Sequence, residues 1–160
     1  MDYEGGTISW TLEVTVTDSG GLTDSATYTV KLTDVNEAPS FSSRVMHRST
    51  YQTAWAEDDK KVGSAVEGTD PDDGDSVTFS IKENMYLDSG SDNPCINQQV
   101  FNLTTSGQLR LMIDLNQWAQ SCDGYGDVSM IRYNMTVYAT DSAGLTDEGV
   151  IRVRVVTSNQ

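Results

Sequence analysis

The sequence predicts an all-β protein, built as an antiparallel sandwich of about seven strands and preceded by part of a second unit of the same kind. Three observations support this prediction. Apolar and polar side chains alternate with a period of two in several segments, and turns rich in Gly and Asp separate these segments. In addition, one phrase of eleven residues occurs twice, which indicates a tandem array of domains.

The first two predicted strands form a hairpin. Apolar and polar side chains alternate over residues 12–16 and again over residues 28–32, with a loop at Gly20 and Gly21 between them. Such alternation is typical of half-buried strands. Because a lone hairpin is only marginally stable in water, we expect residues 1–38 to be the last strands and the linker of a truncated unit.

The second unit ends in a copy of that hairpin. The phrase at residues 14–24 returns at residues 137–147, an offset of 123 positions, and another alternating stretch follows at residues 151–155. Further strands are expected at residues 77–81, around Leu103 and at residues 109–113. We therefore expect residues 39–160 to be the complete folding unit of the chain.

The net charge of the chain restricts the classes of ligand that it is expected to bind. The 24 acidic residues outnumber the 10 basic ones and give a formal net charge of -14. This balance argues against binding to nucleic acid or to anionic lipid and favours hard cations. No stretch reaches the roughly 18 to 20 apolar residues of a membrane span, and the start lacks the features of a signal peptide. We expect an interior piece of a larger protein that is anchored to the membrane elsewhere.

Four local motifs occur in a defined order along the chain. They are DYE at residues 2–4, DVNEAPSF at residues 34–41, DPD at residues 70–72 and ATDSAG at residues 139–144. Together they resemble the motifs of cadherin repeats, and several motifs in order are stronger evidence than any one alone. The resemblance implies a seven-stranded, immunoglobulin-like Greek-key sandwich.

The resemblance also implies calcium at the junction between two repeats. The implied ligands are Asp2, Glu4, Asp34, Asn36, Glu37, Asp70, Asp72 and Asp141, with the backbone carbonyls of Val35 and Asp75. Calcium takes six to eight oxygen ligands, and clustered carboxylates repel one another until a cation neutralises them. Asp72 is expected to bridge two ions.

The linker departs from the family pattern DxNDNxPxF. It is one residue shorter, Glu37 stands where an aspartate is usual, and Ala38 leads directly to Pro39 without the second asparagine. We expect these changes to alter the geometry of the outermost ion.

The function implied by the resemblance is calcium-dependent cell–cell adhesion on the extracellular side of the plasma membrane. The implied partners are other cadherin-type ectodomains, in homophilic or heterophilic pairs. The alternative is a structural spacer or a sandwich that contacts carbohydrate, without homophilic adhesion. No enzyme is expected, because the single histidine, His47, has no nucleophile at a recognisable position and is predicted to be an exposed loop residue.

Several remaining residues carry weaker expectations. Cys95 and Cys122 are expected to form a disulfide, with two buried free thiols as the alternative. The triplets that begin at Asn102 and Asn134 are N-glycosylation sequons, which also arise often by chance. The three tryptophans, Trp10, Trp55 and Trp118, are expected in the core, with an interface or sugar stacking as the alternatives.

Overall fold

The structure is a computed structural model that describes residues 3–51, 61–86, 99–115 and 132–156. The strands in these residues are β1 (Ser9–Thr17), β2 (Thr23–Lys31), β3 (Ser40–Phe41), β4 (Val45–Tyr51), β5 (Gly68–Thr69), β6 (Thr78–Tyr86), β7 (Phe101–Leu103), β8 (Leu109–Leu111), β9 (Arg132–Thr140) and β10 (Thr146–Val156). The prediction of an all-β fold is confirmed. Within the described residues, no helix has the length and the apolar run that crossing a membrane requires.

The hairpin of β1 and β2 forms a two-stranded sheet of its own. The two strands are antiparallel along their whole length. Asp18 closes the turn, because its Oδ1 accepts a hydrogen bond from the amide of Leu22 at 2.8 Å. All residues of both strands are exposed. Trp10, which was expected in the core, is 37 % exposed because no described element covers its face of the hairpin.

The main sheet of the second unit has the strand order β4-β10-β9-β6. β9 is antiparallel to both of its neighbours, and a bulge interrupts the β6–β9 pairing between Ile81 and Glu83. β4 runs parallel to β10, with Val45 opposite Val150, which the antiparallel prediction did not include. Both strands start at the linker end of the unit, so they point the same way. His47 is exposed as expected, but it lies in β4 rather than in a loop.

The second layer is built from shorter strands. β7 pairs with β8, and β3 pairs with β5. The segment before β5 extends this layer, because the amide of Val62 donates to the carbonyl of Leu109 and the amide of Val66 to that of Gly107, each at 2.9 Å. One backbone hydrogen bond, from the amide of Phe79 in β6, reaches this layer from the main sheet.

The core of the second unit lies between these two layers. Its buried apolar residues are Phe41, Met46, Val62, Val66, Phe79, Val100, Phe101, Leu103, Leu109, Leu111, Leu115, Tyr133, Met135, Val137, Ala139, Ile151, Val153 and Val155. Phe41 packs against Phe79 with ring centroids 5.7 Å apart. Because Phe41 directly follows the linker, this contact fixes the point at which the linker meets the second unit.

Candidate metal centre

The linker between β2 and β3 is tied to loops that lie far away in the sequence. The amide of Glu37 donates to Oδ2 of Asp72 at 2.8 Å. The side-chain Nδ2 of Asn36 donates to Oδ2 of Asp141 at 2.7 Å. Pro39, two residues after Glu37, is buried. The linker therefore lies against the loops between β5 and β6 and between β9 and β10.

The loop between β5 and β6 presents three carboxylates together. Asp, Pro and Gly dominate its sequence, and these residues favour tight turns. The amide of Asp72 donates to Oδ1 of Asp70 at 3.0 Å, and the amide of Asp75 donates to the carbonyl of Asp72 at 3.1 Å. In this conformation one carboxylate oxygen from each of the three residues lies within 4.8 Å of the other two.

A second acidic group forms where the hairpin meets the same loop. Glu4 precedes β1 and Asp34 follows β2. Because the two strands are antiparallel, the start of β1 and the end of β2 lie at the same end of the hairpin. Carboxylate oxygens of Glu4, Asp34 and Asp72 lie within 4.8 Å of one another. Asp72 is therefore a member of both acidic groups.

Two oxygens in these groups are buried without a hydrogen-bond partner. They are Oδ2 of Asp70 and Oδ1 of Asp72. Buried polar atoms in folded proteins nearly always have a partner, because an unpaired one loses its hydration without compensation. Asp72 also lines a cleft of about 340 Å³, together with Asp34, Asn36, Asp73, Gly74 and Asp75. This arrangement of oxygens fits a bound cation.

Asp141 lies beside the linker and is held by several donors. Its side chain is buried, and its Oδ1 accepts hydrogen bonds from the backbone amides of Gly144 and Leu145. Desolvation at this position raises the pKa of Asp141, but the hydrogen bonds from Asn36 and from the backbone of residues 143–145 outweigh it and leave the pKa lowered. Asp141 is therefore kept as a carboxylate, the form that a cation requires.

Comparison with known proteins identifies the architecture. No family model and no curated protein matches the sequence. The structure is similar to extracellular cadherin domains 1–5 of protocadherin gamma B2, with a TM-score of 0.62, 19 % identity, and coverage of 100 % of this chain and 28 % of that chain. It is also similar to domains 1–4 of protocadherin gamma B7, with a TM-score of 0.61, 19 % identity, and coverage of 100 % and 34 %.

The chain has the cadherin-repeat fold. A third match, the extracellular domain of protocadherin gamma B4, has a TM-score of 0.59 and 22 % identity and covers 97 % of this chain. At this level of identity the likeness establishes the fold alone. The chain spans between 22 % and 34 % of the length of these three matched structures.

Most of the residues predicted as ligands lie close together in this cadherin-repeat fold. Glu4, Asp34, Asp70 and Asp72 belong to the two acidic groups. Asn36 lines the same cleft and connects it to Asp141 through a hydrogen bond. Asp2 lies outside the described residues, as do Cys95, Cys122, Trp55 and Trp118.

At three residues the structure adds to what the sequence suggested. Asp75 was expected to offer its backbone carbonyl, but its carboxylate joins the group at residues 70–75. Glu37 contacts its neighbours through its backbone, since its amide donates to Asp72 and its carbonyl accepts from Asn36. Asp73 lines the cleft without having been predicted as a ligand. Its place in residues 70–75, where four of the six residues are acidic, was the signal that could have found it.

Proposed function

We propose that the chain belongs to an extracellular, calcium-dependent cell–cell adhesion protein, in which calcium stiffens the linker between two cadherin-type repeats. The observation that carries this proposal is the pair of acidic groups that share Asp72. Within them, Oδ2 of Asp70 and Oδ1 of Asp72 are buried acceptors with no hydrogen-bond partner. A cation held by Asp70 and Asp72 would give both oxygens a partner.

Calcium fits this donor set better than a transition metal. Both acidic groups contain carboxylates alone, without the imidazole or thiolate ligands that zinc and copper prefer. Calcium also accepts irregular geometry and six to eight oxygens, whereas magnesium requires a nearly ideal octahedron. The open cleft beside the groups leaves space for water to complete the coordination.

We assign the ligands on both sides of the junction. Glu4, Asp34 and Asp72 would hold one ion, and Asp70, Asp72 and Asp75 would hold another. The remaining proposed ligands are Asp2, Asn36, Glu37, Asp141 and the carbonyl of Val35. With these assignments, residues 1–38 are the end of one repeat with its linker, and residues 39–160 are a complete repeat.

The residues at the junction account for a calcium-dependent stiffness. Calcium supplies the positive charge that lets these carboxylates lie close together. Without it, Glu4 and Asp34 on the hairpin side repel Asp72 on the repeat side. Among the described residues, the hydrogen bonds from Asn36 to Asp141 and from Glu37 to Asp72 would then still hold the linker to the repeat. We expect the junction to bend more freely in that state.

The proposed partners are other cadherin-type ectodomains, homophilic or heterophilic, at the cell surface. One matched structure is described as a cis-dimer of protocadherin gamma B7, which supports this class of partner. We further propose that the parent protein is membrane-anchored and glycosylated. Of the two sequon residues, Asn102 is exposed on β7 and Asn134 is half-buried on β9. The disulfide between Cys95 and Cys122 stays a prediction.

Calorimetric titration with calcium tests the metal site. We expect a dissociation constant on the order of 10⁻⁴ to 10⁻³ M, the range of extracellular calcium modules. Asp72→Ala removes a carboxylate from both acidic groups and should weaken binding by about tenfold or more. Glu13→Ala is the matched control, because Glu13 is an exposed acid in the middle of β1 that belongs to neither group. Unchanged affinity in Asp72→Ala would refute the site.

Bead aggregation separates adhesion from the role of a spacer. Beads coated with the whole ectodomain of the parent protein should aggregate in calcium and disperse in a chelator. Beads that stay dispersed in calcium, although calorimetry detects the ion, would favour the spacer. Aggregation that persists in the chelator would contradict the proposed calcium dependence.

A further inference from the structure

The outer face of the main sheet carries a cleft whose charge is opposite to that of the chain as a whole. The cleft has a volume of about 470 Å³ and extends over β4, β10 and β9. Its charged and polar lining includes Arg132, Arg152, Arg154, His47 and Asn134. Arg48 also lines it, but the guanidinium group of Arg48 already donates to backbone carbonyls of His47, Ser64 and Ala65. We call it the basic cleft. The two arginines of β10 alternate with buried residues of that strand, so they face away from the core.

The strand register sets two arginines directly opposite each other in the basic cleft. Arg154 of β10 lies directly opposite Arg132 of β9, and Arg152 lies opposite His47 of β4. Like charges in directly opposed positions destabilise a sheet. Acidic residues outnumber basic ones by 24 to 10 in the chain, so an acid facing an arginine would be the more common arrangement. The clustering of three arginines at this place therefore indicates a role other than stabilising the sheet.

No described residue neutralises these arginines. Arg132, Arg152 and Arg154 form no hydrogen bond or ion pair with any described side chain. Two other cations among the described residues are paired: Arg44 with Asp147 at 2.9 Å, and Lys82 with Glu148 at 3.1 Å. As far as the described residues are concerned, the guanidinium groups of Arg132, Arg152 and Arg154 are therefore available to a ligand from outside.

We propose that the basic cleft binds an anionic polysaccharide that carries sulfate and carboxylate groups. A guanidinium donates two parallel hydrogen bonds to either group. Arg152 and Arg154 lie about 7 Å apart along their strand, and Arg132 lies about 5 Å from Arg154 across the sheet. A chain with repeated anionic groups can pair a separate group with each of the three guanidinium groups. Asn134 and His47 add partners for sugar hydroxyls.

The lining favours a polysaccharide over an acidic protein. The centre of a protein interface is enriched in apolar and aromatic side chains. Of the exposed large apolar residues in the described part of the chain, none lines the basic cleft. A flexible sugar polymer needs no such centre, because its contacts are ionic and polar.

The negative charge of the linker does not neutralise the positive charge of the basic cleft. β10 starts at the linker end with Thr146, and Arg152 lies six residues further along, which corresponds to about 20 Å of strand. At physiological ionic strength the Debye length is about 8 Å. The acidic groups at the linker are therefore largely screened from the arginines, and the local positive charge decides what binds.

Binding of a size-defined heparin oligosaccharide to the full 160-residue chain tests the proposal. The background variant is Thr136→Val, which removes this sequon and keeps Asn134, because a glycan on Asn134 would cover the basic cleft. Calorimetry in calcium at several salt concentrations should show binding, with a slope of log K against log salt of about −2 to −3 for three released counterions. Arg154→Glu should weaken binding by about tenfold or more. Lys31→Glu, an exposed lysine on the hairpin, is the charge-matched control and should have little effect.

Each other outcome would overturn the proposal. Absence of binding at physiological salt would show that the arginines do not form a polysaccharide site. Equal losses in Arg154→Glu and Lys31→Glu would show a response to net charge rather than to the basic cleft. Equal binding of an uncharged polysaccharide of the same length would exclude recognition of the anionic groups. Sedimentation that finds a dimer sensitive to Arg154→Glu, without heparin binding, would assign the cleft to a protein partner.

Discussion

The two hairpins of the molecule have the same strand register and opposite burial. Leu12 pairs with Tyr28 in the first, and Met135 pairs with Ile151, at the same offset of 123 positions, in the second. Leu12 is 56 % exposed, whereas Met135 is fully buried. The apolar alternation is therefore enough to form the strands, and the layer opposite them decides whether their side chains become a core.

The turns of the two hairpins share one hydrogen bond and differ in their contact with the linker. Oδ1 of Asp18 accepts the amide of Leu22, and Oδ1 of Asp141 accepts the amide of Leu145. The second oxygen of Asp141 in addition accepts a hydrogen bond from Asn36 of the linker. The aspartate thus closes the turn in both hairpins, and in the second it also holds the linker.

The largest expected effect concerns the cores of the two hairpins. Met135→Ala should lower the free energy of unfolding of the second unit by about 2 to 5 kcal/mol, because it leaves a cavity in a packed core. Leu12→Ala, at the corresponding position of the first hairpin, should change it by less than about 0.5 kcal/mol. Urea unfolding followed by fluorescence measures both variants. Equal losses would show that a second layer covers the first hairpin as well.

A smaller effect is expected at the two aspartate turns. Asp141→Asn should weaken calcium binding by about tenfold, because it removes a carboxylate that contacts the linker. Asp18→Asn changes the matching carboxylate, which contacts no linker residue, and should leave calcium affinity unchanged. Calorimetry compares the two variants. A loss of affinity in Asp18→Asn would indicate that the first turn also binds the ion.

The smallest effect is expected at the two turn glycines. Gly144 and Gly21 have φ angles of 96° and 86°, and neither has atoms within 4 Å of the place where a Cβ would stand. Gly144→Ala should therefore destabilise the second unit by about 1 kcal/mol through backbone strain alone. Gly21→Ala should leave the unfolding of that unit unchanged. The same urea experiment distinguishes them, and equal shifts would mean that the hairpin and the second unit unfold together.

The sequence predicted the parts of the fold that have a local pattern. The alternation at residues 12–16 and 28–32 predicted β1 and β2, and their copies predicted β9 and β10. The parallel position of β4 was missed, because its residues, Val45–Tyr51, alternate poorly and its partner is distant in the chain. Pairing between distant strands depends on how the whole chain folds back, which no local pattern reveals.

The candidate site was partly predictable for a similar reason. Asp70 and Asp72 stand in a recognisable motif, and a turn of this composition brings such residues together. The carboxylate of Asp75 and the hydrogen bond from Asn36 to Asp141 were not predicted. Both depend on side-chain directions that arise when the linker packs against the second unit. Motifs identify candidate ligands, and packing determines which of their atoms meet.

Hydrogen exchange with and without calcium tests the central claim most directly, namely that the linker binds the ion. At a calcium concentration a hundred times the dissociation constant, exchange that requires opening of the site should slow about a hundredfold. We predict this protection at the amides of Glu37 and Asp72, and none at the amide of Leu22 in the first turn. Equal exchange at Glu37 and Asp72 with and without calcium would contradict the account.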